Sequence, residues 1–207
     1  HWIHNTGGIT ADALATAVGV SVSVAGEGLA AGIDTVWDGG TTATATAAGI
    51  EAESGSDLII NEAAIDASST AVAPSVDVAV TGKGVSVGIS TATAEALSVG
   101  IDAGAGDDQV CNSGAITSTS VANADAISVD ISGKGVAVSG NDVWDGGVEA
   151  TAVAKGIDAG SGSNTVVNTG SISTDSTAVT ASVGVAIVGK GLSASVSTAT
   201  ATAESVG

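Results

Sequence analysis

The chain has 207 residues, with 22 acidic side chains against four lysines and a formal charge of −18. That balance argues against nucleic acid and anionic membrane surfaces as partners, which attract cationic faces, and no run of 18 apolar residues exists to span a bilayer as a helix. The 44% hydrophobic content is mostly Ala and Val, with 30 Gly, three Trp and no Phe, Tyr, Met or Arg, so apolar surface has to be buried in many thin layers.

In chain order, the first element is Ile3-His4-Asn5-Thr6-Gly7, which returns as Ile59-Ile60-Asn61, Val110-Cys111-Asn112-Ser113-Gly114 and Val166-Val167-Asn168-Thr169-Gly170. The asparagines 5, 61, 112 and 168 are spaced by 56, 51 and 56 residues. A second element alternates with period two: Val20, Val22 and Val24 match Val76, Val78 and Val80, then Ile127, Val129 and Ile131, then Val183, Val185 and Ile187. β-Branched residues on one side are the signature of a half-buried strand, in which the apolar side is the buried one. Next comes a Gly-X-Gly corner, at Gly26-Glu27-Gly28, Gly82-Lys83-Gly84, Gly133-Lys134-Gly135 and Gly189-Lys190-Gly191. Glycine permits the positive φ that a sharp corner needs. A third strand holds Leu29, Val85, Val136 and Leu192.

Val36-Trp37-Asp38-Gly39-Gly40 follows and returns 107 residues later as Val143-Trp144-Asp145-Gly146-Gly147, which supplies the extra five residues of the long copies. The last strand carries two all-alanine columns, Ala43/Ala94/Ala150/Ala201 and Ala45/Ala96/Ala152/Ala203, which imply that another wall of the same coil stands close by. The chain therefore reads as one unit of four repeats, 1–49, 50–100, 101–156 and 157–207, in two super-repeats of 107. No helical periodicity runs beyond a turn or two. The fold expected is an all-β parallel β-solenoid, right-handed by the crossover rule, with like residues stacked on like. Six short strands per repeat and three walls per coil give two coils of roughly 25 residues per repeat, about eight in all, and at ~4.8 Å per coil a rod roughly 40 Å long. The four asparagines fit a buried ladder at a turn.

Gly-Ile-Asp-Ala-Gly-Ala-Gly-Asp-Asp-Gln-Val followed by Asn-Ser-Gly-Ala-Ile, residues 100–116, resembles the repeats of bacterial autotransporter passengers and haemagglutinin-type adhesins. The resemblance covers all four repeats and implies an extracellular, secreted or cell-surface β-helix. The chain departs from that family in lacking an aromatic-rich anchoring barrel. Within the segment, residues 103–111 (AGAGDDQVC) are similar to the calcium-binding nonapeptide of RTX proteins, with Ala103 in place of the first glycine. That similarity implies a calcium site at Asp102, Asp107 and Asp108, since calcium takes several carboxylate and carbonyl oxygens. The copies degrade, with Asn164 where the aspartate should recur and Glu53 replacing a glycine, which favours an acidic solvated turn and no cofactor.

Other candidate sites are weighed on the same terms. Threonine runs such as 42–46 (TATAT) suggest an ice-binding plane, but the outward columns Thr42/Thr93/Glu149/Thr200 and Thr44/Glu95/Thr151/Thr202 are each broken by a glutamate. Trp37 with Asp38 and Trp144 with Asp145 pair an aromatic with a carboxylate, able to contact a host or matrix glycan or a neighbouring rod, or to staple their own turn. Cys111 is expected outward as a free thiol, and Lys83, Lys134 and Lys190 form a solvated charge row. His1 and His4 lack a third metal partner. No Arg and no clustered His exist for polysaccharide cleavage, so an enzyme is not expected. Neither end shows a polar cap, an initiator Met or a signal peptide, which is expected of a mature or excised segment. The function expected is a stiff extracellular rod, either a filament subunit associating end to end or an adhesin stalk; the alternative is a calcium- or glycan-binding module of a secreted protein.

Overall fold

Residues 56 or 51 apart in sequence become neighbours in space, so the identity of the columns is the packing rule of the molecule. The computed structural model describes residues 1–33, 40–141 and 147–207. It is a parallel β-solenoid, with no helix among the described residues. The first sheet stacks β1 (Trp2–Asn5), β5 (Leu58–Asn61), β8 (Gln109–Asn112) and β11 (Thr165–Asn168) in that order. The second is built on β6 (Ile65–Ile89) and β9 (Ile116–Gly140), with β2 (Ile9–Thr16) and β3 (Gly19–Ile33) on one side and β12 (Ile172–Val188) and β13 (Gly191–Val196) on the other. The third stacks β4 (Thr41–Glu51), β7 (Ala92–Asp102), β10 (Val148–Asp158) and β14 (Ala199–Val206).

The coil count differs from the expectation of about eight. Every strand pairs with its own counterpart one repeat away, as in Asn5↔Asn61↔Asn112↔Asn168, so each repeat closes a single coil and the chain forms four. Strands that read as separate are merged: β6 runs 25 residues through the Gly-Lys-Gly corner. At ~4.8 Å per coil the stack is roughly 19 Å tall, a slab rather than a 40 Å rod.

Three interiors lie inside each coil. Ile59, Ile65, Ile101, Val110 and Ile116, all at most 1% exposed, fill the corner where the three sheets converge. Beside it the alanine columns of β4, β7 and β10 face Ala71, Ala73, Ala122 and Ala124, and methyl groups alone fit between the walls. Beyond that, the chain between residues 75 and 90 folds back at the Gly-Lys-Gly corner into a flat arm with two facing walls.

The arm reverses the pattern expected from the sequence. Its β-branched columns point outward and its small and polar residues inward: Ile127 is 40% exposed, while its neighbours Ser128 and Asp130 are fully buried. Spacing decides this. A Cβ placed on Gly88 would lie 2.7 Å from Asp130 Oδ2 and 2.8 Å from Ser128 Oγ, so the walls are too close for valine. Hydroxyls bridge them instead: Ser90 Oγ donates to Ser75 Oγ at 2.8 Å, Ser128 Oγ to the Gly88 carbonyl at 2.9 Å, and Ser139 Oγ to the Ser128 carbonyl at 3.0 Å.

Candidate functional site

The acidic turn that follows the third sheet is built from backbone needs. Asp102 and Asp158 each accept a hydrogen bond through Oδ1 from the amide two residues on, Gly104 at 2.9 Å and Gly160 at 3.0 Å, closing a tight Asx-type turn. Lys155 Nζ donates to Asp158 Oδ2 at 2.7 Å, and that bond, helped by the Gly160 amide, holds the Asp158 carboxyl below its usual range. Asp107 Oδ1 accepts the Ser163 amide of the next coil at 2.9 Å. Asp108 is 1% exposed; its Oδ1 accepts the Asp57 amide at 2.8 Å, while its own amide donates to Asn164 Oδ1 at 2.9 Å.

These three carboxylates, named in the sequence as a calcium set, therefore hold three separate stretches of backbone. The column Asp57/Asp108/Asn164 tolerates the change to Asn because an amide oxygen accepts the same inter-coil bond. Among the described residues, no group of three or more His, Cys, Asp or Glu side chains is placed to hold a metal ion.

The asparagine turn lies beside this one. Asn5 Nδ2 donates to Asn61 Oδ1 at 2.7 Å, Asn61 to Asn112 at 2.6 Å and Asn112 to Asn168 at 2.7 Å, forming one polar ladder through all four coils. The second N–H of Asn61, Asn112 and Asn168 closes its own turn on the carbonyl two residues ahead, at 2.8, 2.9 and 2.9 Å.

The arm interior holds a titratable group that sequence reading passed over. Burial pushes the Asp130 carboxyl up to about 6, more than hydrogen bonds from the Gly88 amide and the Ser128 and Ser139 hydroxyls pull it down. Its alternating neighbours, Val129 and Ile131, had marked the position as outward; the missed signal is that its column, Ser23/Ala79/Asp130/Ala186, otherwise holds only small side chains. A carboxyl whose folded value lies above its unfolded one favours the fold when protonated. Stability is therefore expected to fall as pH rises from 4 through 6, by about 3 kcal/mol at most. Thermal unfolding of the wild type and Asp130→Asn at pH 4.5 and 7.5 checks this. The variant should be the more stable at pH 7.5, and its advantage should shrink to about a third at pH 4.5. An equal effect at both pH values would refute the charge argument.

The outer surfaces carry the remaining candidates. Cys111 is exposed and free. Lys83 pairs with Glu27 at 2.8 Å on the arm tip, both side chains largely in solvent. Trp2 stacks on His4 with ring centroids 6.1 Å apart, and His4 Nε2 lies 3.5 Å from Glu62. A shallow depression of about 230 Å³ crosses the third sheet between Thr44, Thr46, Glu95, Leu97, Thr151 and Val153, where the glutamate interrupts the threonine columns. Trp37, Asp38, Trp144 and Asp145 lie outside the described residues. No protein family, curated protein or solved structure matches the chain.

Proposed function

We propose that the chain is a structural unit of an extracellular β-solenoid filament or stalk, in which further coils continue the stack end to end. The observation that carries this reading is the polarity of the asparagine ladder. Each Nδ2 donates to the next Oδ1 in one direction. Asn168 has an N–H beyond its bond to the Gly170 carbonyl, and among the described residues Asn5 Oδ1 accepts only the Gly7 amide, at 3.3 Å.

The two faces thus complement each other head to tail. The strands of the first and fourth coils likewise pair on one side only, leaving parallel edges that are templates for another strand. The alanine and isoleucine columns match at both faces, Ile9 with Ile172 and Ala43 with Ala201. The added coils come from a second copy in a filament, or from adjoining repeats in a stalk. The resemblance to secreted adhesin repeats supports a place outside the cell, where a stack roughly 19 Å tall per four coils gains reach only by repetition.

Negative-stain electron microscopy over a concentration series tests the filament arm. Unbranched fibres of constant width, lengthening with concentration, are the expected result. Discrete four-coil particles at every concentration would remove self-assembly and leave the stalk.

A further inference from the structure

The outer face of the arm on the second sheet is made of three columns, centred on Val22/Val78/Val129/Val185, that contain only Val and Ile. No charge and no side-chain hydrogen-bonding group interrupts them, in a chain of net charge −18. Parallel, in-register stacking makes this face a flat set of ribs one coil apart. Val22 and Val185, in the two end coils, are 67% and 38% exposed, and Val78 and Val129 between them are half-buried, so neighbours along a column cover one another only in part.

We propose that this face is a lateral interface for a second copy of the same chain, packed sheet on sheet about a two-fold axis that runs along the stack. Each coil of one copy then lies against the same coil of the other, rib to rib, at the ~10 Å separation of packed sheets. With the axis through the Val129 column, strand directions oppose one another, and a residue five after Val129 faces the residue five before it. Lys134 of each copy thereby lies over the strand position of Ala124, whose side chain is buried, next to the outward Asp125 of the other copy. Lys134 is exposed and makes no ion pair among the described residues, and Asp125 points outward from the same strand. The symmetry supplies the pair twice.

Area sets the strength. Three columns spanning about 17 Å along the strand and four coils spanning about 19 Å give roughly 350 Å² per partner. A stable interface needs about 800 Å² per partner. A pair of four-coil units is therefore weak, and the same face becomes adequate as the stack lengthens. Added salt strengthens the pair, because it screens the repulsion between two acidic chains more than it weakens two rim ion pairs.

Small-angle X-ray scattering of the intact chain, up to roughly 0.5 mM and at low and high salt, separates the two modes of association. End-to-end stacking adds length at constant cross-section; lateral pairing doubles the mass per unit length. The expected result is a doubling that grows with concentration and salt. It should disappear in the combined variant Val22→Thr, Val78→Thr, Val129→Thr, Val185→Thr, whose β-branched outward side chains leave circular dichroism and Tm unchanged. Lys134→Asp should weaken pairing about tenfold, and Lys134→Asp with Asp125→Lys should restore it. Growth in length alone, a single cross-section at all concentrations, or binding of the chain to phosphatidylglycerol vesicles without pairing would overturn the proposal. Pairing that survives the threonine variant would do so too. Because it is read from cross-section, the result stands whether or not the units stack end to end.

Discussion

Gly135→Ala is expected to prevent the third coil from seating on the second, at a cost of about 4 kcal/mol or more. Two independent causes add at this position. Its φ is +135°, outside the range an L-residue adopts without strain. A Cβ there would also sit 1.9 Å from the Gly84 carbonyl oxygen of the coil below. That oxygen belongs to backbone inside the arm corner, so no side-chain rotation relieves the clash and the coils must part locally. The same column contains Gly84 and Gly191, with added Cβ distances of 1.9 and 1.7 Å, so the requirement is set by stacking and not by one turn. Gly28, in the first coil, has a φ of +106° and open space around it. Gly28→Ala should therefore cost only the conformational part, about 1–2 kcal/mol. Chemical denaturation of the two variants checks this, and equal losses would mean that contact between coils is not the constraint.

Asn112→Ala is expected to cost about 3–5 kcal/mol, the largest effect of any single polar truncation here. Asn112 is 2% exposed and makes three side-chain bonds, accepting from Asn61 and donating to Asn168 Oδ1 and the Gly114 carbonyl. Removing it orphans a donor and two acceptors in a turn that water reaches poorly, and each orphan costs more than a lost bond at the surface. Asn168→Ala deletes fewer bonds and lies in the more exposed outer coil, so about 1–2 kcal/mol is expected there. Equilibrium unfolding in urea distinguishes the two. A loss below about 1 kcal/mol for Asn112→Ala would show that the ladder is decoration on a stack held by its alanine and isoleucine columns.

Both predictions rest on column identity, which is what the sequence made legible. Spacings of 56, 51 and 56 between asparagines gave the register of every sheet, because a parallel stack places each residue over its counterpart and so selects like over like. The alanine columns likewise announced a wall at close distance, which β6 and β9 provide. The acidic turn was less legible, because spacing does not say which amide each carboxylate accepts. Asp102, Asp107 and Asp108 are within seven residues of one another, yet serve Gly104, Ser163 and Asp57.

The sequence by itself determined the repeat, the register and the parallel β architecture, since these follow from periodicities that survive without knowledge of distance. Only the tertiary structure decided how many coils a repeat makes and which side of the arm faces in. A strand pattern records alternation but not which side is buried, and it is the gap between two walls that chooses. Where the walls of the arm approach to within a glycine and a hydroxyl, Ser128 and Asp130 go inside and Ile127, Val129 and Ile131 are left facing out.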